Sequence, residues 1–341
     1  MRSTLVRHTL AALAGLVVLY VVTSTIDPYR DLQVAQASYL LCAAAGLTVL
    51  TGLSGQISLG QGAFMAVGAY TAALVFNHLH WPLPLVLVAS VVAAGVLGVV
   101  MGAAAARLRG PYLAGATLAL AVGLPSLADY KGLSHLLQGQ NGLTVASSPP
   151  PLALGDTFPL ERWQAWIAGF CAVVTLWFLA NLTRSRYGRM LRAVRDDEAA
   201  AALSGIRVAR VQILAFVVAS ACAGLGGGLL AWVNSLAAPG AFTLALSLQL
   251  VTAVILGGLG SLAGAVWGSL LLVLVPSWAS DLSSAAGLSH DVESNLPLAL
   301  YGLVLIVVMI AFPGGVQQGL RRFLALPASF LGGTSPRRRH E

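Results

Sequence analysis

The chain has 341 residues, of which 57% are apolar and only 9% are charged. A soluble domain normally carries about 25% charged residues, and a disordered segment carries few apolar ones. This much apolar surface needs lipid to cover it, because its exposure to water is unfavourable. The composition therefore excludes soluble and disordered proteins and predicts an all-α integral membrane protein.

The net charge of +7 comes from arginines that cluster between apolar runs. The clusters lie within residues 2–7, 107–109, 184–210 and 321–339. Basic residues in short loops mark the cytoplasmic side of a membrane protein. The distribution of charge therefore indicates how the chain is oriented in the membrane, and it does not indicate a nucleic-acid partner. It predicts that both termini and the segment 183–210 are cytoplasmic.

Apolar runs of about 20 residues can each cross a bilayer as a helix. The candidate runs lie at roughly 10–26, 32–51, 60–77, 83–106, 111–129, 163–182, 211–233, 247–275 and 295–312. If the C-terminal arginines are cytoplasmic, the run 247–275 must cross twice or not at all, and it is broken at Gly257-Gly258-Leu259-Gly260. We expect about ten transmembrane helices, with about eight plus a re-entrant hairpin as the alternative.

The whole chain, residues 1–341, is expected to form a single transmembrane domain. Its basic tails, 1–9 and 317–341, are predicted to be cytoplasmic. The segment 130–162 is the largest predicted external loop, and its run Pro149-Pro150-Pro151 is typical of turns and extended chain.

The segment 50–64 is too rich in glycine for an ordinary helix, because each glycine costs up to ~1 kcal/mol relative to alanine. Non-helical backbone at membrane depth survives only where protein or a water-filled cavity satisfies its polar groups. The uncharged side chains of Gln56, Ser58 and Gln61 add hydrogen-bonding groups there. The segment predicts a lining or gate for the path of a polar or zwitterionic solute. The alternative is a glycine-rich turn between two packed helices.

A second glycine-rich break, at residues 257–260, occupies a comparable place in the other half of the chain. Broken helices in corresponding positions indicate a transport path. The predicted translocation path consists of Gly52, Ser54, Gly55, Gln56, Ser58, Gly60, Gln61, Gly257, Gly258 and Gly260.

The segment 187–207 predicts a polar helix between two spans. Arg189, Arg192 and Arg195 recur at i, i+3 and i+6 and therefore lie near one face. Gly205 is placed to cap the C-terminus of this helix. The helix faces water or a protein partner, and the alternative is a membrane-surface helix that only anchors the topology.

The sequence lacks the groups that power transport or catalyse a reaction. The central portions of the predicted spans contain no Asp, Glu or Lys, which mark ion coupling, and no G-x-x-x-x-G-K-[ST] motif exists. Cys42, Cys171 and Cys222 form no CxxC pair, so neither a disulfide nor a zinc site is expected. We expect a chain that is not an enzyme, that needs no cofactor or metal, and that draws any energy from another subunit.

The segment from Gly188 to Phe216 resembles the cytoplasmic loop of ABC-importer permeases for branched-chain amino acids. In that family the pattern G-R-x-L-R-A-x-R-D-x-E-x-A-A is followed by L-G-I, V-A-R and L-A-F. This chain has Gly188-Arg189-Met190-Leu191-Arg192-Ala193-Val194-Arg195-Asp196-Asp197-Glu198-Ala199-Ala200, then Gly205-Ile206, Val208-Ala209-Arg210 and Leu214-Ala215-Phe216. Further blocks match at Thr51 to Tyr70, Arg107 to Gly110, Leu256 to Ser261, Tyr301-Gly302, and Phe312 to Gly315. The resemblance covers residues 34–316.

The resemblance implies the member of a permease pair that carries an extra N-terminal span. Such a permease forms a heterodimer with a second homologous permease, works with two ABC ATPase subunits and receives its solute from an external solute-binding protein. It would carry branched-chain or other hydrophobic amino acids through the lipid of a bacterial inner (plasma) membrane. Permeases of the same family for urea, amides or aromatic acids are the alternative. A secondary transporter or channel without an ATPase is less favoured.

The resemblance also implies that residues 195–205 form the coupling helix that docks on the ATPase. The predicted coupling residues are Arg189, Arg192, Arg195, Asp196, Asp197, Glu198, Ala199, Ala200 and Gly205.

Overall fold

A computed structural model gives the fold of the chain. It describes residues 2–108, 111–128, 130, 132, 134–145, 149–151, 155, 158–285, 300, 302, 303, 306–312 and 315–319. The predicted tail 317–341 therefore lies outside the described residues except for 317–319.

Helices make up nearly all of the regular structure in the described part of the chain. They are α1 (Arg2–Thr25), α2 (Pro28–Leu47), α3 (Gln61–Leu74), α4 (Leu83–Ala105), α5 (Pro111–Leu127), α6 (Ser134–Leu137), α7 (Leu160–Arg184), α8 (Arg186–Asp196), α9 (Glu198–Leu203), α10 (Val208–Val233), α11 (Leu244–Gly257) and α12 (Leu262–Ala285). Two short strands, β1 (Leu143–Thr144) and β2 (Leu236–Ala237), pair antiparallel, with Leu143 opposite Ala237.

The helices confirm the prediction of an all-α integral membrane protein. Among the described residues, 8 helical segments are long and apolar enough to cross a membrane, and Tyr112–Leu127 is a shorter apolar helix. The described residues of 300–311 are also helical and fall within the last predicted span, 295–312. The number of about ten spans stays a prediction.

The centre of the bundle is α10, which packs against α2, α3 and α4. Small residues allow these backbones to approach closely. A Cβ atom on Gly224 would lie 2.6 Å from the carbonyl oxygen of Ser90 in α4. A Cβ atom on Gly227 would overlap the carbonyl oxygen of Met65 in α3. Close backbone packing therefore contributes to the centre, alongside large buried side chains such as Phe216 and Trp232 of α10.

The first helix lies at the outside of the bundle and packs on α7. Near its start, the His8 ring nitrogen Nδ1 lies 2.9 Å from Asn181 Oδ1. Near its end, the indole nitrogen of Trp166 donates to Thr23 Oγ1 at 2.9 Å. Exposed apolar side chains such as Val17 cover the outer face of α1, as expected of a helix that meets lipid.

The bundle has two ends that the connecting segments distinguish. We call the end that carries residues 184–210 the arginine end and the end that carries β1 and β2 the strand end. Helix α10 runs from Val208 at the arginine end to Val233, just before β2. At the strand end, Arg162 Nε donates to Asp31 Oδ2 at 3.1 Å, the one ion pair among the described residues.

Candidate functional site

The first predicted break lies at the arginine end of α2. The helix continues as a π-helical turn, Thr48–Leu53, and residues 55–60 are not helical before α3 begins at Gln61. Gly55 adopts a left-handed conformation with φ +72°, which is accessible to glycine and strained for most other residues. The prediction of a broken segment near residues 52–60 is confirmed.

The second predicted break separates two helices of an antiparallel hairpin. Helix α11 ends at Gly257, and Gly258 and Gly260 both have positive φ, of 113° and 79°. Helix α12 then returns alongside α11, and a Cβ atom on Gly257 would overlap the backbone of Gly264. The break near residues 257–260 is therefore a tight turn between close-packed helices.

The two breaks meet each other at the arginine end. A Cβ atom on Gly52 would overlap the backbone N and Cα of Gly260, so the two backbones are in contact with no side chain between them. A Cβ atom on Gly315, which precedes the described helical residues 316–319, would likewise overlap the backbone of Gly258. The structure thus brings together four glycines from distant parts of the chain, Gly52, Gly258, Gly260 and Gly315.

The polar side chains of the first break are buried, and they differ in their partners. Gln61 Nε2 donates to the carbonyl oxygens of Ala43, at 2.9 Å, and Ala219, at 3.3 Å, so this side chain ties α3 to α2 and α10. By contrast, Ser54 Oγ and Gln56 Oε1 make no hydrogen bond to the described part of the chain. Gln61 Oε1 is likewise unpaired, so each of the three residues keeps an oxygen that a polar solute could use.

Side chains of two other helices support the backbone between this break and the first turn of α3. The amide nitrogen of Leu59 donates to Thr117 Oγ1 in α5 at 3.0 Å. The amide nitrogen of Gly62 donates to Ser247 Oγ in α11 at 3.0 Å. Both hydroxyl residues are buried. Unwound backbone at membrane depth needs such partners.

The sequence analysis did not single out Thr117 and Ser247. Each is a hydroxyl residue in a mostly apolar helix, but Ser126 in α5 and Thr252 in α11 give the same local signal. Their partners, Leu59 and Gly62, could not have been found from the local pattern.

Helix α8 lies across the arginine end with one face packed on the bundle. Ser185 Oγ accepts from the amide nitrogen of Tyr187 and caps the helix, and the inward positions include Leu191. The predicted arginine face is exposed, but its members differ in their contacts. Arg192 Nη1 donates to the carbonyl oxygen of Thr183 at 3.2 Å. Arg189 is exposed beside it.

The third arginine of that face points to the first break. Arg195 Nη1 donates to the carbonyl oxygen of Gly52. A Cβ atom on Gly55 would lie 3.0 Å from Arg195 Cγ. The structure therefore joins a predicted coupling residue to the predicted translocation path, a contact that the sequence analysis did not predict.

Helix α9 is short, and both of its ends are fixed. Asp197 caps its start, because Oδ1 accepts from the amide nitrogens of Ala199 at 2.8 Å and Ala200 at 3.0 Å. At its end, Gly205 has φ +84°, and its amide nitrogen donates to the carbonyl oxygen of Ala202 at 3.0 Å. Because Ile206 also donates back into the last turn, this is a Schellman motif. The prediction that Gly205 caps the helix is confirmed.

The surface of α9 that faces away from the bundle is exposed. Glu198 Oε1 accepts from Gln212 Nε2 at 2.9 Å, which ties the start of α9 to α10. Asp196 is exposed ahead of it, and the side chain of Leu203 is 90% exposed. The arrangement is a rigidly held helix that presents small and apolar side chains away from the bundle.

Comparison with known proteins identifies the family. The family model of the branched-chain amino acid transport system permease component matches residues 30–313. The chain belongs to this family. The matched region of the permease includes both breaks, α8 and α9, and it begins after α1. The permease is thus a membrane transport protein and not an enzyme.

Several curated relatives are similar to the permease over most of its length. The high-affinity branched-chain amino acid transport system permease protein LivM of Escherichia coli (strain K12) is 32% identical over 309 residues, which cover 82% of the permease and 68% of LivM. LivH of the same strain is 29% identical over 294 residues, 80% of the permease and 89% of LivH. The probable branched-chain amino acid transport permease protein LivM of Methanocaldococcus jannaschii is 26% identical over 273 residues, 75% of the permease and 76% of that protein. No solved structure is significantly similar to the permease.

Proposed function

We propose that the permease is a membrane-spanning subunit of an ATP-driven importer of branched-chain or other hydrophobic amino acids. It works in a bacterial inner (plasma) membrane, with both termini and the arginine end in the cytoplasm. It pairs with a second, homologous permease and binds two ABC ATPase subunits. An external solute-binding protein delivers the solute at the strand end. The family and the names of its relatives LivM and LivH, which are branched-chain amino acid transport permeases, support the solute class.

The observation that supports an ATPase partner is the exposed surface of α9. Asp197 and Gly205 fix the two ends of this helix, yet Leu203 is 90% exposed. Leu203 and the exposed Ala199, Ala200 and Ala202 form a contiguous apolar surface on a rigidly held helix, and such a surface suits contact with another protein. The neighbouring Ala199 and Ala200 leave room for close approach. In this proposal α9 docks in a groove of the ATPase, and its displacement during ATP hydrolysis drives transport.

The proposed path follows the two breaks into the bundle. Ser54 Oγ and Gln56 Oε1 offer uncharged acceptors to the ammonium group of an amino acid. Gly258 and Gly260 contribute backbone without side chains, and both have a positive φ that glycine adopts readily. Uncharged groups are suited to a zwitterion, because they bind its charges without trapping it permanently.

The direct test is purification of the tagged permease with its associated subunits, followed by reconstitution into proteoliposomes. Leucine, urea and benzoate are the probes of uptake. The proposal predicts that an ATPase copurifies and that leucine enters only when ATP is present on the side of the arginine end. Uptake of leucine without ATP, by a complex that contains no ATPase, would make the permease a channel or secondary transporter. ATP-dependent uptake of urea or benzoate but not of leucine would correct the solute class.

A further inference from the structure

Arg195 connects the exposed helix α9 to the first break. It lies near the end of α8, two positions before Asp197, which caps α9. Its guanidinium group donates to the carbonyl oxygen of Gly52, and its aliphatic stem packs on Gly55. The guanidinium group and the stem therefore contact the bundle, although Arg195 as a whole remains exposed.

The bond suits the end of a helix. The carbonyl of Gly52 belongs to the last turn of the π-helical segment Thr48–Leu53, where carbonyl groups lack partners in the helix and carry a partial negative charge. A cation is favourable at such a position. Among the described residues, Arg195 forms no ion pair with a carboxylate. Its positive charge therefore faces the carbonyl group of Gly52 at the first break.

Three successive contacts at the arginine end connect α9 to the turn between α11 and α12. Asp197 holds α9, Arg195 bonds to Gly52, and Gly52 touches Gly260 in the turn between α11 and α12. The last of these contacts leaves no room for a side chain between the two backbones. A displacement of α9 would therefore move the junction of the two breaks, because the chain from Asp197 to Arg195 is only two residues long.

We propose that Arg195 is a positioning residue that transmits the movement of α9 to the junction of Gly52 and Gly260, and that it is not a residue that docks on the ATPase. This inference rests on the proposed function. It changes the role that the resemblance implied for Arg195, from holding the partner to relaying its movement. Arginine suits this role better than lysine, because its planar fork fixes the direction of the bond.

The test compares three variants of the reconstituted importer, with leucine as the probe. Arg195→Gln should keep the ATPase bound and hydrolysing ATP, while leucine carried per ATP falls about tenfold, the usual size of a coupling effect. Arg195→Lys should lose less, because it keeps the charge. The control is Arg186→Gln, which removes a charge from the first turn of the same helix, where Arg186 lies over the ring of Tyr187. The control should carry leucine as the unaltered permease does.

The outcomes separate this inference from the proposed function. Loss of the ATPase from Arg195→Gln would make Arg195 a docking residue and overturn the inference, as would normal coupling in this variant. An unaltered complex that contains no ATPase and carries leucine without ATP would overturn the proposed function and the inference with it.

A second measurement needs no ATPase. In a chain whose three native cysteines are replaced by alanine, Gly55→Cys and Arg195→Cys are combined. A Cβ atom on Gly55 lies 3.6 Å from that of Arg195, a separation that a disulfide can span. Mild oxidation in membranes should remove both thiols from reaction with a maleimide, and reduction should restore them. If the melting temperature in detergent matches that of Arg195→Cys alone, thiols that stay reactive after oxidation would show that α8 does not contact the break, and the inference would fail.

Discussion

Gly52, at the end of one broken helix, packs directly against Gly260, in the turn between two others. Because neither residue has a side chain, the two breaks meet backbone to backbone at the arginine end of the bundle. A contact of this kind can hold two segments together firmly and still let them slide or part, since no side chains interlock across it. The junction of Gly52 and Gly260 is therefore the point at which a change of shape would open or close the proposed path.

The junction should not tolerate a methyl group. In Gly52→Ala the new Cβ atom would overlap the backbone of Gly260, and such overpacking typically costs about 1–3 kcal/mol. The melting temperature of the detergent-solubilised permease should fall, and leucine uptake should fall with it. The matched control is Gly115→Ala in α5, where nothing lies within 4 Å of the new atom. A melting temperature of Gly52→Ala equal to that of the control would mean that the two breaks are not in contact.

The sequence was sufficient to predict the features that depend on local pattern. Glycine spacing predicted both breaks, arginine spacing predicted the exposed face of α8, and the position of Gly205 predicted a helix cap. Each of these depends on residues a few positions apart, whose effect on the backbone is the same in any protein.

The sequence was not sufficient to predict which segments touch. The contacts of Gly52 with Gly260, and of Arg195 with Gly52, join residues from different helices. Their geometry depends on how the whole bundle packs, and glycine backbone carries no side-chain signature of its partner. The same reason hid the partners of Gln61, whose Nε2 donates to α2 and α10.

The ion pair at the strand end should contribute to stability. The Asp31 side chain is fully buried and that of Arg162 is 24% exposed, so Arg162→Ala leaves a buried carboxylate without its cation, at a cost of about 3 kcal/mol. Thermal unfolding in detergent should show a clear loss, and adding Asp31→Asn in the same chain should recover part of it. The control Arg30→Ala, an exposed arginine next to Asp31, should change stability by less than about 0.5 kcal/mol. Equal melting temperatures for Arg162→Ala and the control would show that the pair is unimportant.

The two ends of the bundle should face opposite sides of the membrane. In a chain without its native cysteines, His78→Cys is exposed near β1 and Leu203→Cys is exposed on α9. A maleimide that cannot cross membranes should label position 78 in intact cells and position 203 only after permeabilisation, because the arginines hold their end in the cytoplasm. Labelling of position 203 but not 78 in intact cells would invert the proposed orientation.

The central claim is that α9 couples this permease to an ATPase, and Gly205 tests it most directly. Its φ of +84° suits glycine, is tolerated by asparagine and is strained for a β-branched residue, while no atom lies within 4 Å of a new Cβ. Any defect of Gly205→Val therefore comes from the backbone after α9 and not from a clash. Gly205→Asn is the matched control.

The decisive measurement is the number of leucine molecules carried per ATP hydrolysed, taken side by side on both variants in proteoliposomes. We expect Gly205→Val to lower this ratio about tenfold or to release the ATPase, and Gly205→Asn to stay within about twofold of the unaltered permease. If Gly205→Val retained the ATPase and carried leucine at the unaltered ratio, α9 would not be the coupling helix, and it would be only a surface helix that anchors the topology.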